Sequence, residues 1–153
     1  MVDLKPILLV DDNPLDIELT LAALTECRFA NEVVVARDGV EALDILLERG
    51  EFVGRAGVGV AFILLDLKLP RMDGIEVLEQ MRAVPHLRRV PVVMMTGSNE
   101  EIDLTRSYTL GVNGYVVKPI EYDHYFSAIQ DIMQFWLVRN EPPPTQWRWG
   151  RAF

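Results

Sequence analysis

Short apolar runs alternate with amphipathic stretches along most of this chain. The runs are Ile7–Val10, Glu32–Ala36, Val60–Leu65, Pro91–Met95 and Gly114–Val117. Runs of this length, apolar at nearly every position, fit strands buried on both faces, as in a parallel sheet. Between them the pattern predicts helices over Pro14–Cys27, Val40–Arg49, Gly74–Val84 and Glu100–Leu110. A fifth is predicted from Glu121 to Leu137, where Tyr122, Tyr125, Phe126, Ile129, Ile132, Met133 and Trp136 recur at three- and four-residue spacing. Asn13 before Pro14 marks a helix start, a capping side chain followed by proline at the first helical position. Asp73 offers a similar cap before Gly74. The fourth helix is polar, with Asn99, Glu100, Glu101, Asp103, Thr105 and Arg106, which fits an exposed element of low local stability. Strand followed by helix, five times over, predicts an α/β domain built as a three-layer sandwich.

Two stretches break the alternation. Gly50, Gly54, Gly57 and Gly59 predict a surface loop leading into the third strand. Pro142, Pro143 and Pro144 end any helix, so residues 1–137 are expected to form the domain and 138–153 an aromatic tail carrying Trp147, Trp149 and Phe153. No DNA-binding or catalytic output domain is expected within that tail.

Composition narrows the class. Half of the 153 residues are hydrophobic, enough for a sizeable core. The net charge of -8 opposes nucleic-acid binding, which needs a basic surface. The apolar runs are too short to span a bilayer, and Met1–Pro6 lacks the basic start and apolar stretch of a signal peptide. The single Cys27 closes no intramolecular disulfide, and no Cys/His cluster suggests zinc. A cytoplasmic protein with neither membrane nor nucleic-acid partner is expected.

The chemistry lies at the strand ends. The first strand leads into Asp11-Asp12, the third into Asp66, the fourth into Thr96 and the fifth into Lys118-Pro119. Open α/β sheets bind ligands beyond the carboxyl ends of their strands, where strand order reverses. With the flavodoxin-like order 2-1-3-4-5, that point brings Asp11, Asp12 and Asp66 together, with Thr96 and Lys118 arriving from neighbouring strands. Three crowded carboxylates raise each other's pKa unless a cation balances them. Mg2+, a hard ion that prefers oxygen ligands, is the natural candidate. Lys118 adds a point charge for a carboxylate or phosphoryl oxygen, and Thr96 a hydroxyl. Such a set suits phosphoryl transfer, where catalysis is mostly positioning and neutralisation of oxygen charge.

Five segments carry a family resemblance: Leu8-Leu9-Val10-Asp11-Asp12-Asn13, Leu64-Leu65-Asp66-Leu67-Lys68-Leu69-Pro70, Met72-Asp73-Gly74, Pro91-Val92-Val93-Met94-Met95-Thr96 and Gly114-Tyr115-Val116-Val117-Lys118-Pro119. In this order, over roughly residues 5 to 137, they resemble the CheY-like receiver domains of two-component response regulators. The resemblance implies a (βα)5 doubly wound fold in which Asp66 accepts a phosphoryl group from a sensor histidine kinase. It implies Mg2+ held by Asp11, Asp12, Asp66 and the backbone carbonyl of Lys68. Lys118 would contact an Asp66 or phosphoryl oxygen, Thr96 would turn its hydroxyl to the phosphoryl group, and Tyr115 would rotate inward behind it. The Lys118-Pro119 bond is expected to be cis, which an X-Pro bond permits. Lys68 and Ser98, two positions after Asp66 and Thr96, are expected near the path of attacking water, where they would tune the lifetime of the phosphorylated form.

The segment Pro85–Pro91, the glycine-containing loop before the third strand, and Phe135-Trp136-Leu137 ahead of the prolines resemble the single-domain regulators associated with phytochromes. This implies a bacterial phytochrome or a phosphotransfer protein as partner, and a homodimer through the fourth helix, fifth strand and fifth helix. Two other classes fit the residues less well. An aspartate-nucleophile phosphatase usually carries Asp-x-Asp after its first strand, whereas this chain reads Asp11-Asp12-Asn13 and has no evident cap domain. A flavodoxin-like cofactor binder lacks its Ser/Thr/Gly phosphate loop here. A phosphorylation-independent scaffold on the same fold stays open.

Overall fold

The structure is a computed structural model and describes residues 4–50 and 59–141. Its sheet has five parallel strands, β1 (Ile7–Val10), β2 (Val33–Ala36), β3 (Ile63–Leu65), β4 (Val92–Thr96) and β5 (Gly114–Val117), in the order β2-β1-β3-β4-β5. Helices α1 (Pro14–Glu26), α2 (Gly39–Leu46), α3 (Gly74–Ala83), α4 (Glu101–Thr109) and α5 (Tyr122–Gln134) connect or follow them. This is the expected flavodoxin-like, doubly wound three-layer sandwich. No described helix is long and apolar enough to cross a membrane.

Two-residue periodicity in the central strands builds two cores, one on each face of the sheet. Leu8, Val10, Ile63, Leu65, Val92 and Met94 point to the face covered by α2 and α3, where they pack with Leu43, Ile75, Leu78 and Met81. Their neighbours Ile7, Leu9, Leu64, Val93 and Met95 point the other way, against Ile17, Leu24, Tyr125, Ile129 and Met133 of α1 and α5. Both faces being covered, β1, β3 and β4 are apolar at every inner position, whereas the edge strands β2 and β5 are only half-buried. The second core closes on aromatic contacts: Phe62 stacks on Trp136 at 6.0 Å, and Phe135 meets Trp136 edge-on at 5.1 Å.

The helix starts follow capping chemistry. The Asn13 side chain accepts from the N–H groups of Leu15 and Asp16, and Asp73 from that of Glu76. Asp38 caps α2 in the same way through the Glu41 N–H, a cap that hydrophobic pattern alone passes over. Burial works against its charge, yet this bond and the Arg71 guanidinium hold the Asp38 carboxyl below its ordinary range. The α5 helix ends three residues before the expected Leu137 and continues as a π-turn over Phe135–Arg139. The connection from α3 to β5 is tied by Arg82, whose guanidinium donates to the carbonyls of Leu110 and Gly111, both at 2.8 Å, and of Arg88 at 2.9 Å. Gly54, Gly57 and residues 142–153, which hold the aromatic positions of the tail, lie outside the described residues.

Candidate functional site

The ladder bonds of the sheet continue one residue past the strands and set the site. The Asp11 N–H reaches the Ala36 carbonyl at 3.0 Å, Asp66 reaches Val10 at 2.9 Å, and Lys118 reaches Thr96 at 2.7 Å. These bonds fix the backbone from which the chemical side chains project, all at the carboxyl edge of the sheet. Behind Asp66 the chain turns sharply, and the Gly74 N–H donates to the Leu67 carbonyl at 2.8 Å. A Cβ at Gly74 would collide with the Asp66 carbonyl oxygen, so only glycine lets α3 begin this close to the site.

Asp11, Asp12 and Asp66 each offer a carboxylate oxygen, and these oxygens lie within 4.8 Å of one another. Asp11 and Asp66 are buried and Asp12 is exposed, which leaves the cluster open on one side. The Asn13 N–H holds one Asp11 oxygen at 2.9 Å, and the Lys68 N–H approaches Asp66 at 3.4 Å. The other oxygens turn to Lys118, whose Nζ donates to Asp11 Oδ2 at 2.8 Å and to Asp66 Oδ2 at 2.7 Å. A third bond, to Asp16 Oδ2 at 2.8 Å, comes from the first turn of α1. An ammonium has three protons to donate, and all three are engaged.

The electrostatics follow from burial and pairing. Burial pushes the Asp11 carboxyl above its ordinary value, although the Lys118 bond and the Asn13 N–H pull against it. Burial opposes the charge on Lys118 too, but bonds to Asp11, Asp16 and Asp66 outweigh that and hold its pKa far above the ordinary value. The three carboxylates therefore favour the charged form of Lys118. Tyr125 of α5 packs behind Asp16 and Thr20, and its hydroxyl is pushed up to about 12 by burial and by the Asp16 charge. An oxygen-only, acidic, partly desolvated set with an open side suits a hard divalent cation.

The remaining expected residues are placed around this centre. Thr96 is buried at the end of β4, its hydroxyl oxygen lying 3.4 Å from the Ser98 N–H. Tyr115 is half-buried, and its hydroxyl donates to the Ser98 carbonyl at 2.8 Å. Burial raises its pKa, helped by the charges of Asp103, Glu100 and Asp66, despite the Ser98 bond. Lys68 and Ser98 converge on Asp103. The Ser98 hydroxyl donates to Asp103 Oδ2 at 2.6 Å, and Lys68 Nζ lies 3.7 Å from the same oxygen. The expected cis Lys118–Pro119 bond is corrected by the structure, which has no cis peptide among the described residues. Trans is favoured for X-Pro by about 0.5–1 kcal/mol, and the trans chain already delivers Nζ to the carboxylates.

Asp16 and Asp103 were not expected at the site. Asp16 reads in sequence as an ordinary acid favoured near a helix N-terminus, and Asp103 as one more charge on a polar helix. Only the fold reveals that Asp103 and Ser107, one turn apart, are the residues α4 buries.

Residues 7–130 match the model of the response regulator receiver domain family. Response regulator Rcp1 of Synechocystis sp. is 39% identical over 133 residues, covering 87% of this chain and 89% of its own. Rcp1 has also been solved in a Mn2+-bound form, with TM-score 0.84 and 38% identity over 92% of this chain and 99% of the other. The phosphorylated cyanobacterial phytochrome response regulator RcpA superposes with TM-score 0.88 at 39% identity, covering 93% of this chain and all of the other. The bacteriophytochrome response regulator AtBRR is 58% identical, with TM-score 0.72, over 92% of this chain and all of its own. The strand order, the acidic cluster at the sheet edge and these relatives agree, and the chain belongs to the response regulator receiver domain family.

Proposed function

We propose that this protein is a single-domain response regulator that accepts a phosphoryl group on Asp66 from the phosphohistidine of a sensor kinase. The observation that carries this reading is the convergence of Asp11, Asp12 and Asp66 at the sheet edge, with Lys118 bonded into the cluster. Mg2+ would be held by Asp11, Asp12, Asp66 and the Lys68 carbonyl, and when bound it supplies positive charge to the phosphoryl oxygens and to Asp66. An Asp66 oxygen attacks phosphorus, forming the acyl phosphate as the bond to the donor nitrogen breaks. Lys118 donates to the oxygen charge that results. Thr96 turns its hydroxyl from Ser98 toward the phosphoryl group, and Tyr115 leaves the Ser98 carbonyl to fill the space behind it. That movement repositions α4, β5 and α5, a local charge change read out as a change of surface.

Output then runs through protein contact or onward phosphoryl transfer in the cytoplasm, without DNA binding. The likeness to RcpA and AtBRR supports a phytochrome as the kinase. A homodimer through α4, β5 and α5 is part of the same reading, supported by exposed Ile102, Tyr108, Val117, Ile120 and Tyr122. Light scattering should give twice the chain mass; a monomer with and without phosphorylation would refute the dimer.

The testing experiment is incubation with acetyl phosphate, followed by intact mass. A gain of about 80 Da is expected with Mg2+ and none with chelator. No gain under conditions that label another receiver would move the reading to a phosphorylation-independent scaffold. Sustained turnover of a generic phosphate ester would favour the phosphatase.

A further inference from the structure

The site holds a fourth carboxylate that the metal cluster does not use. Asp16 is contributed by α1 rather than by a strand end, and its Oδ2 accepts from Lys118 Nζ at 2.8 Å. Both partners are sheltered, the Lys118 side chain being 13% exposed and that of Asp16 17%. An acid in the first turn of a helix needs no partner, because the free N–H groups there already favour it. Asp16 nevertheless bonds a residue 102 positions away, and its own backbone N–H is satisfied separately by the Asn13 cap.

The consequence appears when the bonds of Lys118 are sorted by what each acceptor must also do. Asp11 and Asp66 belong to the group of carboxylates placed to hold a cation, whereas Asp16 does not. Once Asp11 and Asp66 share their electron density with a divalent ion, their hold on the ammonium weakens. A divalent cation held there would also repel the ammonium. A lysine is a flexible stem with a mobile point charge, and without a further anchor it would swing toward solvent.

We infer that Asp16 is a positioning residue: a fixed counter-charge on α1 that holds Lys118 Nζ over the site when a divalent cation occupies the aspartate cluster, and so aims the ammonium at the phosphoryl oxygens. This rests on the reading of Asp66 as phosphoryl acceptor. Asp16 touches neither the cation nor the phosphoryl group, and it acts through Lys118 alone. Two of the three ammonium N–H groups are then free to donate hydrogen bonds to the reacting oxygens while the third stays on Asp16. The Asp16 backbone is fixed in turn, its carbonyl accepting from the Thr20 hydroxyl at 2.9 Å.

The test compares the wild type with Asp16→Ala and Asp16→Asn, using two readouts. One is the rate of phosphoryl acceptance from acetyl phosphate at saturating Mg2+. The other is the ζ-15N ammonium signal of Lys118, recorded without phosphoryl donor and with or without Mg2+. That signal persists only while the protons are protected by hydrogen bonds, and exposed Lys68 serves as the internal contrast. Asp16→Ala should lower the rate about tenfold or more, because misplacement of a charge-stabilising group is costly in the transition state. Its Lys118 signal should vanish when Mg2+ is added, whereas the wild-type signal persists. Asp16→Asn keeps an acceptor oxygen without the charge and should fall between the two on both readouts. A helix-capping role would lower Tm in both variants without moving the ammonium signal. A wild-type rate in Asp16→Ala overturns the inference, and so does a slower rate with the ammonium signal unchanged. Should the wild type accept no phosphoryl group while its ammonium signal still depends on Asp16, the acceptor reading fails and the tether stands.

Discussion

Lys118→Met should destabilise the metal-free protein by about 3–5 kcal/mol near neutral pH, the range for removing one partner of a buried ion pair. Methionine preserves the length of the stem, so packing changes little. What disappears is the cation that Asp11, Asp16 and Asp66 share at 2.8, 2.8 and 2.7 Å. Those side chains are sheltered, and solvent replaces little of the lost attraction. In a protein of this size the shift corresponds to about 10 °C in Tm. The deficit should depend on pH, and its sign is set by Asp11. Burial already holds that carboxyl above its ordinary 3.8, so the folded chain binds the proton more tightly than the unfolded chain does. The stabilising contribution of that proton is complete below the unfolded value and is lost as pH rises through the folded value. Removing Lys118 raises the folded value further, so the variant should regain stability on acidification toward pH 4. Added Mg2+ should also recover part of it, since a divalent cation replaces the missing charge. Thermal melts across pH, with and without Mg2+, measure both effects; a variant as stable as the wild type at pH 7 would show that the three bonds contribute nothing net.

Asp66→Asn should abolish the adduct from acetyl phosphate altogether, because the amide is not a nucleophile, while leaving the fold intact. Asparagine has nearly the same shape and still offers Lys118 an oxygen, and its neutrality relieves repulsion with Asp11. Metal-free stability should therefore stay within about 1 kcal/mol of the wild type. The response to Mg2+ should not survive so well. An ion present at a hundredfold its Kd stabilises a folded protein by about 2.7 kcal/mol. Loss of a charged ligand weakens binding at least about tenfold, removing roughly half of that gain at the same concentration. Intact mass together with melts over a Mg2+ series tests both halves. An undiminished adduct in the variant would place the acceptor elsewhere.

The fold was legible in the sequence because burial on both faces of a parallel sheet leaves an apolar imprint. β1 and β5 were read to the residue, and the other strands within three residues at each end. The main discrepancy, the start of β3, arises because Val60 and Ala61 are apolar for packing but precede the paired positions. Asp11, Asp12, Asp66, Thr96 and Lys118 were legible because strand ends in this topology converge. Asp16 and Asp103 were not, since the chain has many exposed acids and nothing in spacing tells a pinned carboxylate from a solvated one. The same limit applies to the helices. Periodicity finds α5 because that helix buries Tyr125, Ile129, Ile132 and Met133, and it reads α4 poorly because its buried side is made of Asp103 and Ser107.

That difference in how the helices are fastened sets α4 apart from what keeps the molecule folded. The helices α1, α2, α3 and α5 are glued to the sheet by side chains whose loss would open cavities in one of the two cores. Helix α4 is held at its start by a carboxylate, a hydroxyl and an amine that can trade partners without exposing much oil to water. Its sequence can therefore drift without endangering the rest of the chain. A receiver of this build keeps its stability in two oily cores and leaves one helix loosely moored.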